Sequence, residues 1–440
     1  MPGGLLQLAA YGAQDLFLTG NPQMSFFITV YKRHTNFAIE SINQPFMSDP
    51  GFGKKTHCII DRIGDLITQV FVEIKIPNLI DLEKEFDDSE QLVGWVNDLG
   101  YSLIDYVDIE IGGTVIDKQY GIWMGIWYEL TTPVGKRTTG DILIGKDNIT
   151  SNEPNSRNKA YSLYVPLYFW FCRHEGLALP LIALQHHEVR INIAFKKLDD
   201  LWQSLNGKFN QELCNRICNK KYDIQEASLY IDYIFLENEE RKLFVKRKHN
   251  YLIEQVQINT ESFNTQQTDV IVNLNFSHPV KELIWVIQNE DSIKKNKDNT
   301  INVKGNEWFN FSDRSYSTTI GAGGGNSPTD PMIDCELQFE GKPRFDKRDS
   351  QFFRLVQPFQ RHSNCPNSYV YIYSFALHPE DLQPSGTCNF SRIDNVNMVM
   401  KLASNKSENM YLNNPTITVY ATNYNVLQIA NGMAGLAYVN

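Results

Sequence analysis

Two successive sets of eight strand-like segments constrain this chain more than any other feature. The first set lies at 37–47, 56–61, 66–77, 104–116, 161–171, 178–184, 187–196 and 228–237. The second lies at 250–263, 268–276, 280–288, 333–340, 368–377, 386–393, 394–403 and 414–424. Each segment is rich in β-branched or aromatic residues and bounded by Gly, Pro, Asn or Asp, the pattern of strands closed by turns. The two sets also echo each other in order. Lys32-Arg33-His34-Thr35-Asn36-Phe37-Ala38-Ile39-Glu40 parallels Arg247-Lys248-His249-Asn250-Tyr251-Leu252-Ile253-Glu254. The run from Ile109 to Lys118, with Gly112-Gly113, parallels the run from Leu337 to Lys347, with Gly341. Tyr168-Phe169-Trp170-Phe171 parallels Tyr371-Ile372-Tyr373-Ser374-Phe375, and Tyr230-Ile231-Asp232-Tyr233 parallels Ile417-Thr418-Val419-Tyr420. One such pair arises by chance; four in order, around a shared glycine hairpin, point to a duplicated domain. Unequal spacing between them is expected, because loop insertions cost little.

Eight strands per unit with long excursions fit the jelly roll, a two-sheet sandwich of Greek keys. The expected fold is all-β: two tandem eight-stranded jelly-roll β-sandwiches with a short N-terminal arm and helix. The expected domains are 1–36 (arm and helix), 37–240 (first jelly roll) and 241–440 (second). In the arm, Leu5, Leu8, Ala9 and Gly12 fall on one helical face. Asn21 then caps a helix that starts at Pro22, runs through Met24, Phe27, Ile28 and Tyr31, and ends on Lys32, Arg33 and His34. Beyond it, helical periodicity nearly vanishes. The excursions 119–160 and 289–332 are polar and longer than compact loops usually are, which marks them as functional or disordered.

Composition narrows the function. With 41 basic and 51 acidic groups the net charge is −10, which argues against holding nucleic acid through the global field. Seven scattered cysteines, an odd number, do not form a secreted disulfide framework and read as thiols of a reducing compartment. The N-terminus lacks the basic and long apolar regions of a signal peptide, and no run approaches 18 apolar residues. The expectation is a soluble product, intracellular at synthesis.

Chemical motifs are incomplete. His186-His187-Glu188 sits on an alternating strand, so its imidazoles face opposite ways. His174-Glu175 lacks a second His four positions on. Cys214 and Cys218 have zinc-like spacing without a second pair. Gly321-Ala322-Gly323-Gly324-Gly325-Asn326 has no following Lys-Ser/Thr and reads as a surface loop. Trp123, Trp127 and Trp170 read as core. No catalytic residue, metal site or cofactor is expected. Arg241-Lys242 with Lys246-Arg247-Lys248 is the one strong basic cluster, and a solvated linker or inter-subunit salt-bridge patch is its default role. Sequons occur at Asn148, Asn275, Asn310, Asn389 and Asn405. Asn148, Asn310 and Asn405 are the accessible candidates for glycosylation.

The words of the chain resemble a known family. Gly3-Gly4-Leu5-Leu6-Gln7-Leu8, Leu18-Thr19-Gly20-Asn21-Pro22-Gln23 and Tyr31-Lys32-Arg33-His34-Thr35-Asn36-Phe37 are similar to the opening of the major capsid proteins of nucleocytoplasmic large DNA viruses, in the branch infecting algae and amoebae. Asp232-Tyr233-Ile234-Phe235-Leu236, Ser374-Phe375-Ala376-Leu377-His378-Pro379-Glu380 and Tyr420-Ala421-Thr422-Asn423-Tyr424 continue the resemblance. Its most specific stretch is Gln383-Pro384-Ser385-Gly386-Thr387-Cys388-Asn389-Phe390-Ser391-Arg392. The resemblance covers essentially the whole chain. It implies a non-enzymatic late structural protein of the virion capsid, made in the host cytoplasm. It also implies homotrimeric, pseudo-hexagonal capsomers of a large icosahedral double-stranded DNA virus. The implied partners are further copies of itself, neighbouring capsomers, minor capsid and penton proteins and an internal membrane, with no specific nucleic acid. Leu5, Leu6, Leu8 and Tyr11 are the expected contacts of an assembly arm. Competing readings are a jelly-roll carbohydrate-binding protein, a cupin-like enzyme and a capsid-assembly scaffold.

Overall fold

The structure is a computed structural model that describes residues 2–77, 93–146, 160–204, 223–265, 267–293, 305–313, 329–366, 368–405 and 410–439. The chain divides into a unit over 1–37 and a much larger one over 38–440.

Sixteen of the described strands form the frame of the larger unit's sandwiches, and three short ones, Arg348–Asp349, Cys388–Asn389 and Met433–Leu436, add to the second half's sheets. In the first half they are β1 (Phe37–Pro45), β2 (Lys55–Ile59), β3 (Leu66–Ile76), β4 (Ile104–Ile111), β5 (Thr114–Tyr120), β6 (Tyr161–Pro166), β7 (Val189–Phe195) and β8 (Glu226–Leu236). In the second they are β9 (His249–Ser262), β10 (Asp269–Asn273), β11 (Pro279–Gln288), β12 (Met332–Phe339), β13 (Lys342–Pro343), β14 (Tyr371–Ser374), β15 (Val396–Leu402) and β16 (Thr416–Ala430). The first half forms sheets of order β1-β8-β3-β6 and β2-β7-β4-β5; the second forms β9-β16-β11-β14 and β10-β15-β12-β13. Adding eight to each label of the first pair gives the second pair. Each half is a jelly roll, and the two are topological copies.

The strands form where alternation lets one face meet a core. In β3, Val70, Val72, Ile74 and Ile76 are buried while Gln69 is exposed and Phe71, Glu73 and Lys75 are half-buried. In β11 every residue from Val280 to Gln288 is buried, so this strand is covered on both faces. One face, with Leu283, Trp285 and Ile287, joins the core of the second sandwich. The other, with Ile284 and Val286, joins the cluster that fills the first sandwich.

Several expected elements differ. The segment 104–116 is two strands, β4 and β5, turning at Gly112 and Gly113, whose φ angles are 60° and 85°. The segment 178–184 is not a strand: Pro180 cannot donate to a ladder, Leu179 makes a single bridge to Ile67, and Leu181–Ala183 forms a 3₁₀ turn. Strand 161–171 stops at Pro166, and Trp170–Arg173 is a helical turn. In 386–393 only Cys388–Asn389 pairs as strand, before the 3₁₀ turn Phe390–Arg392.

Helices also depart from expectation. The helix from Pro22 is absent; Asn21 takes a left-handed φ of 48°, and Ile28, Thr29 and Val30 are β-branched with no buried side to stabilise a helix. The arm is instead helical over Gly3–Ala9 and Leu16–Thr19. Helices do occur later, at Gly121–Thr131, Val134–Ile144 and Asn238–Lys246. The polar excursion from 119 therefore begins as ordered helix.

Candidate assembly surfaces

The first surface joins the two sandwiches within the chain. Strand β5 and the helices Gly121–Thr131 and Trp170–Arg173 of the first sandwich lie against the outer side of sheet β9-β16-β11-β14. Asp117 Oδ1 accepts from Val256 N at 3.1 Å, and Gln255 Nε2 donates to the Ile116 carbonyl. Arg173 and Lys281 both pair with Glu254 Oε2, the latter at 2.7 Å. Burial alone raises the Glu254 carboxyl, but the two cations outweigh it and hold the group below the usual range. The Trp127 ring completes the clasp, with the Arg173 guanidinium 4.4 Å and the Lys281 ammonium 5.5 Å from its centroid. Asp117, fully enclosed, is pushed up to about 6 by burial against hydrogen bonds from Gln119 and Val256.

Further contacts fix the relative angle of the sandwiches. Glu129 Oε2 accepts from Ser368 Oγ at 2.6 Å, its carbonyl accepts from Asn364 Nδ2 at 2.7 Å, and its Oε1 holds Lys146 at 2.7 Å. Gly125 leaves room for the Phe309 ring, where a Cβ would overlap it. Asn306 Nδ2 donates to the Asp199 and Trp202 carbonyls, both at 2.8 Å, and Trp308 Nε1 donates to the Asp200 carbonyl at 2.8 Å. Lys196 lies 3.7 Å from the Trp308 centroid, and burial lowers it to about 8 despite Asp105 and Asp200.

His186 and His187 belong to this interface and not to a metal site. They precede β7 rather than alternate along a strand. His186 N donates to the Gly432 carbonyl at 2.9 Å, and His187 Nδ1 accepts from Ala434 N at 3.2 Å. They clamp the terminal hairpin Met433–Leu436 of the second sandwich onto the first. Pairing of distant loops leaves no local signal, so sequence reading misses this role. Among the described residues no group of three His, Cys, Asp or Glu side chains is arranged to hold a metal ion. No described helix is long and apolar enough to cross a membrane.

The basic cluster lies at the connection between the sandwiches. Helix Asn238–Lys246 carries Arg241, whose Nε pairs with Asp65 Oδ1 at 2.9 Å, while Lys242, Lys246, Arg247 and Lys248 are exposed.

The arm is a second surface. No described residue of 2–36 is buried. Leu5, Leu6, Leu8 and Tyr11 are 52%, 59%, 79% and 55% exposed, and Phe17, Phe26 and Phe27 are more so. Within the arm, Thr19 Oγ1 donates to Tyr11 Oη at 3.0 Å.

The glycosylation candidates separate. Asn148 lies outside the described residues, as do Cys214, Cys218 and the glycine run at 321–325. Asn405 lies in the short strand Ser404–Asn405. The expectation that Asn310 is accessible is corrected: it is 2% exposed, donates to Glu307 Oε2 at 2.7 Å and accepts from the Ser312 hydroxyl at 2.6 Å. A glycan cannot be seated there in the folded chain.

With this architecture in view, comparison with known proteins is decisive. Residues 25–237 match the family described as the major capsid protein N-terminus, and residues 240–435 match the large eukaryotic DNA virus major capsid protein. The chain belongs to this family. It is 38% identical to the major capsid protein of Pyramimonas orientalis virus and 36% identical to that of Phaeocystis pouchetii virus, with full coverage of both chains in each case. Among solved structures it resembles the quasi-atomic model of the PBCV-1 virus capsid, at 31% identity and a TM-score of 0.76, covering 94% of this chain and 100% of that one. As a family member the chain is a structural capsid protein of the virion that assembles with further copies of itself.

Proposed function

We propose that three copies of this chain close into a pseudo-hexagonal capsomer, and that such capsomers tile a large icosahedral shell around a double-stranded DNA genome. The observation that carries this reading is that one chain holds two sandwiches of identical strand order, locked side by side through a buried interface. Three such pairs supply six similar bodies while only three must meet, because covalent linkage keeps each pair at high effective concentration. The contact between copies is heterologous and its three-fold rotation closes, so it forms a ring and stops. On this reading the sandwiches are domains, 37–240 and 241–440, and the chain has no catalytic role.

The arm, through Leu5, Leu6, Leu8 and Tyr11, joins capsomers to one another or to minor capsid and penton proteins. The basic linker helix is a candidate contact for an underlying membrane. Synthesis is assigned to the host cytoplasm, and any glycans to Asn148 and Asn405. Native mass spectrometry tests the assembly: the expected species is three times the 50.6 kDa chain. Material that stays monomeric at every concentration overturns the reading.

A further inference from the structure

The duplication makes one interface legible from another. Inside the chain, the outer side of sheet β9-β16-β11-β14 is sealed: Ile284, Val286, Ile372, Tyr420 and Thr422 are all at most 2% exposed. What seals it is the first sandwich's β5 and the helix that follows it, with Trp123 and Trp127 buried at 0% and 4%. Among the described residues, the equivalent sheet of the first sandwich, β1-β8-β3-β6, has no such cover. On its outer side Phe71, Tyr164, Tyr230 and Glu73 are only half-buried, and Ile39 on β1 is 53% exposed.

The equivalent covering element of the second sandwich is also bare among the described residues. Between β13 and β14, where the first sandwich has its sealing helix, the chain forms a helical run over 352–361, a π-type turn Phe352–Val356 continuing as Gln357–Arg361. Its inner side is anchored, with Phe353 fully buried against Trp285. Its outer side presents Leu355, Val356 and Phe359 at 44%, 40% and 81% exposure. Each half of the intrachain interface thus has a copy on the same chain that no described residue partners.

We infer that the face of 342–361 led by Phe359 docks on the outer side of sheet β1-β8-β3-β6 of a second copy, as Gly121–Thr131 docks on sheet β9-β16-β11-β14 within one chain. The inference rests on the trimer reading and assigns its contact surface. Charge agrees with the pairing. The run 342–361 holds six basic and two acidic side chains, while the receiving sheet presents Glu73, Glu226 and Asp232 against Lys75. The receiving face is also tied together by side-chain contacts across its strands. Tyr164 Oη donates to Glu73 Oε1 at 2.8 Å, Ser228 Oγ donates to Glu73 Oε2 at 3.4 Å, and the Tyr164 and Tyr230 rings lie 6.2 Å apart. An aromatic side chain pressed onto such a face is the usual anchor of a protein interface.

Two measurements decide it. Phe359→Glu is expected to keep the wild-type circular dichroism and melting profile, because the ring is exposed, while at least tenfold more protein is needed to hold the trimer in native mass spectrometry. In otherwise wild-type protein, a photo-crosslinking benzoylphenylalanine at position 359, in mixtures of isotope-labelled and unlabelled chains, is expected to give interchain adducts with peptides from 39–43, 69–75, 161–166 or 226–232. A trimer that Phe359→Glu leaves intact, or adducts that map elsewhere on the trimer, overturns this contact and leaves the trimer standing. Wild-type protein that never trimerises overturns both.

Discussion

His362 is a cation enclosed by two carboxylates. Its Nε2 lies 3.1 Å from Glu282 Oε2 and its Nδ1 2.9 Å from Glu380 Oε1, and the imidazole and Glu282 side chains are both fully inaccessible. Burial opposes the charged ring, but Glu282 and Glu380 outweigh it and raise the group from 6.5 to about 9. A folded-state value above the unfolded one means the stabilisation is complete below pH 6.5 and is lost as pH rises through about 9. A shift of this size corresponds to about 3 kcal/mol. Denaturant titrations of the wild type and His362→Gln are therefore expected to differ most below about pH 6.5, to draw together as pH rises, and to converge in alkali. A gap independent of pH contradicts the assignment. Glu254 behaves oppositely, as an anion serving two cations. Replacing it by Gln leaves Arg173 and the inaccessible Lys281 without their shared counter-charge, a change expected to cost roughly 3 kcal/mol in the same titrations.

At the scale of elements, the glycine hairpin between β4 and β5 shows how local rules and long-range packing divide. Gly112 and Gly113 both have positive φ, so an Ala at either costs about 1 kcal/mol in backbone strain. A Cβ at Gly113 meets open space, whereas one at Gly112 runs into the His187 ring that receives the Ala434 amide. Gly112→Ala is expected to lower the unfolding midpoint clearly more than Gly113→Ala, and equal losses would contradict the clamp. This hairpin was legible because alternation and turn chemistry are local. Its repeat, Leu337 to Lys347, lands on the equivalent β12–β13 turn, and Tyr230-Ile231-Asp232-Tyr233 and Ile417-Thr418-Val419-Tyr420 land on the equivalent β8 and β16. Tyr168-Phe169-Trp170-Phe171 does not: it follows β6, whereas Tyr371 to Ser374 is β14 itself. Apolar aromatic runs read the same in a buried strand and in a buried turn, so only tertiary context separates them. The helix Gly121–Thr131 was missed for a related reason, since Trp123, Trp127 and Leu130 are buried around much of its circumference and leave little amphipathic period to detect. The clasp residues between the two sandwiches, His187 and Glu254 among them, carry no local signal because their partners lie far along the chain or in the other sandwich.

At the scale of the whole molecule, the arm poses a question of solubility that assembly answers. Within residues 2–18, Leu5, Leu6, Leu8, Tyr11, Leu16, Phe17 and Leu18 are all more than half exposed, and the two short helices bury none of their own side chains. So much exposed apolar surface is retained where another surface covers it. Because the unit over 38–440 builds both sandwich cores and the clasp between them without any arm residue, its stability does not depend on the arm. Deleting residues 1–18 is accordingly expected to leave the melting temperature and the trimer mass of the remainder unchanged while abolishing closed shells in electron micrographs of assembly reactions. Replacing Leu5, Leu6, Leu8 and Tyr11 together by Ser should reproduce the defect without shortening the chain, which separates lost apolar contact from lost length. Normal shells from either variant would show that lattice contacts reside elsewhere, and a fall in trimer mass would move the arm's role from joining capsomers to closing them.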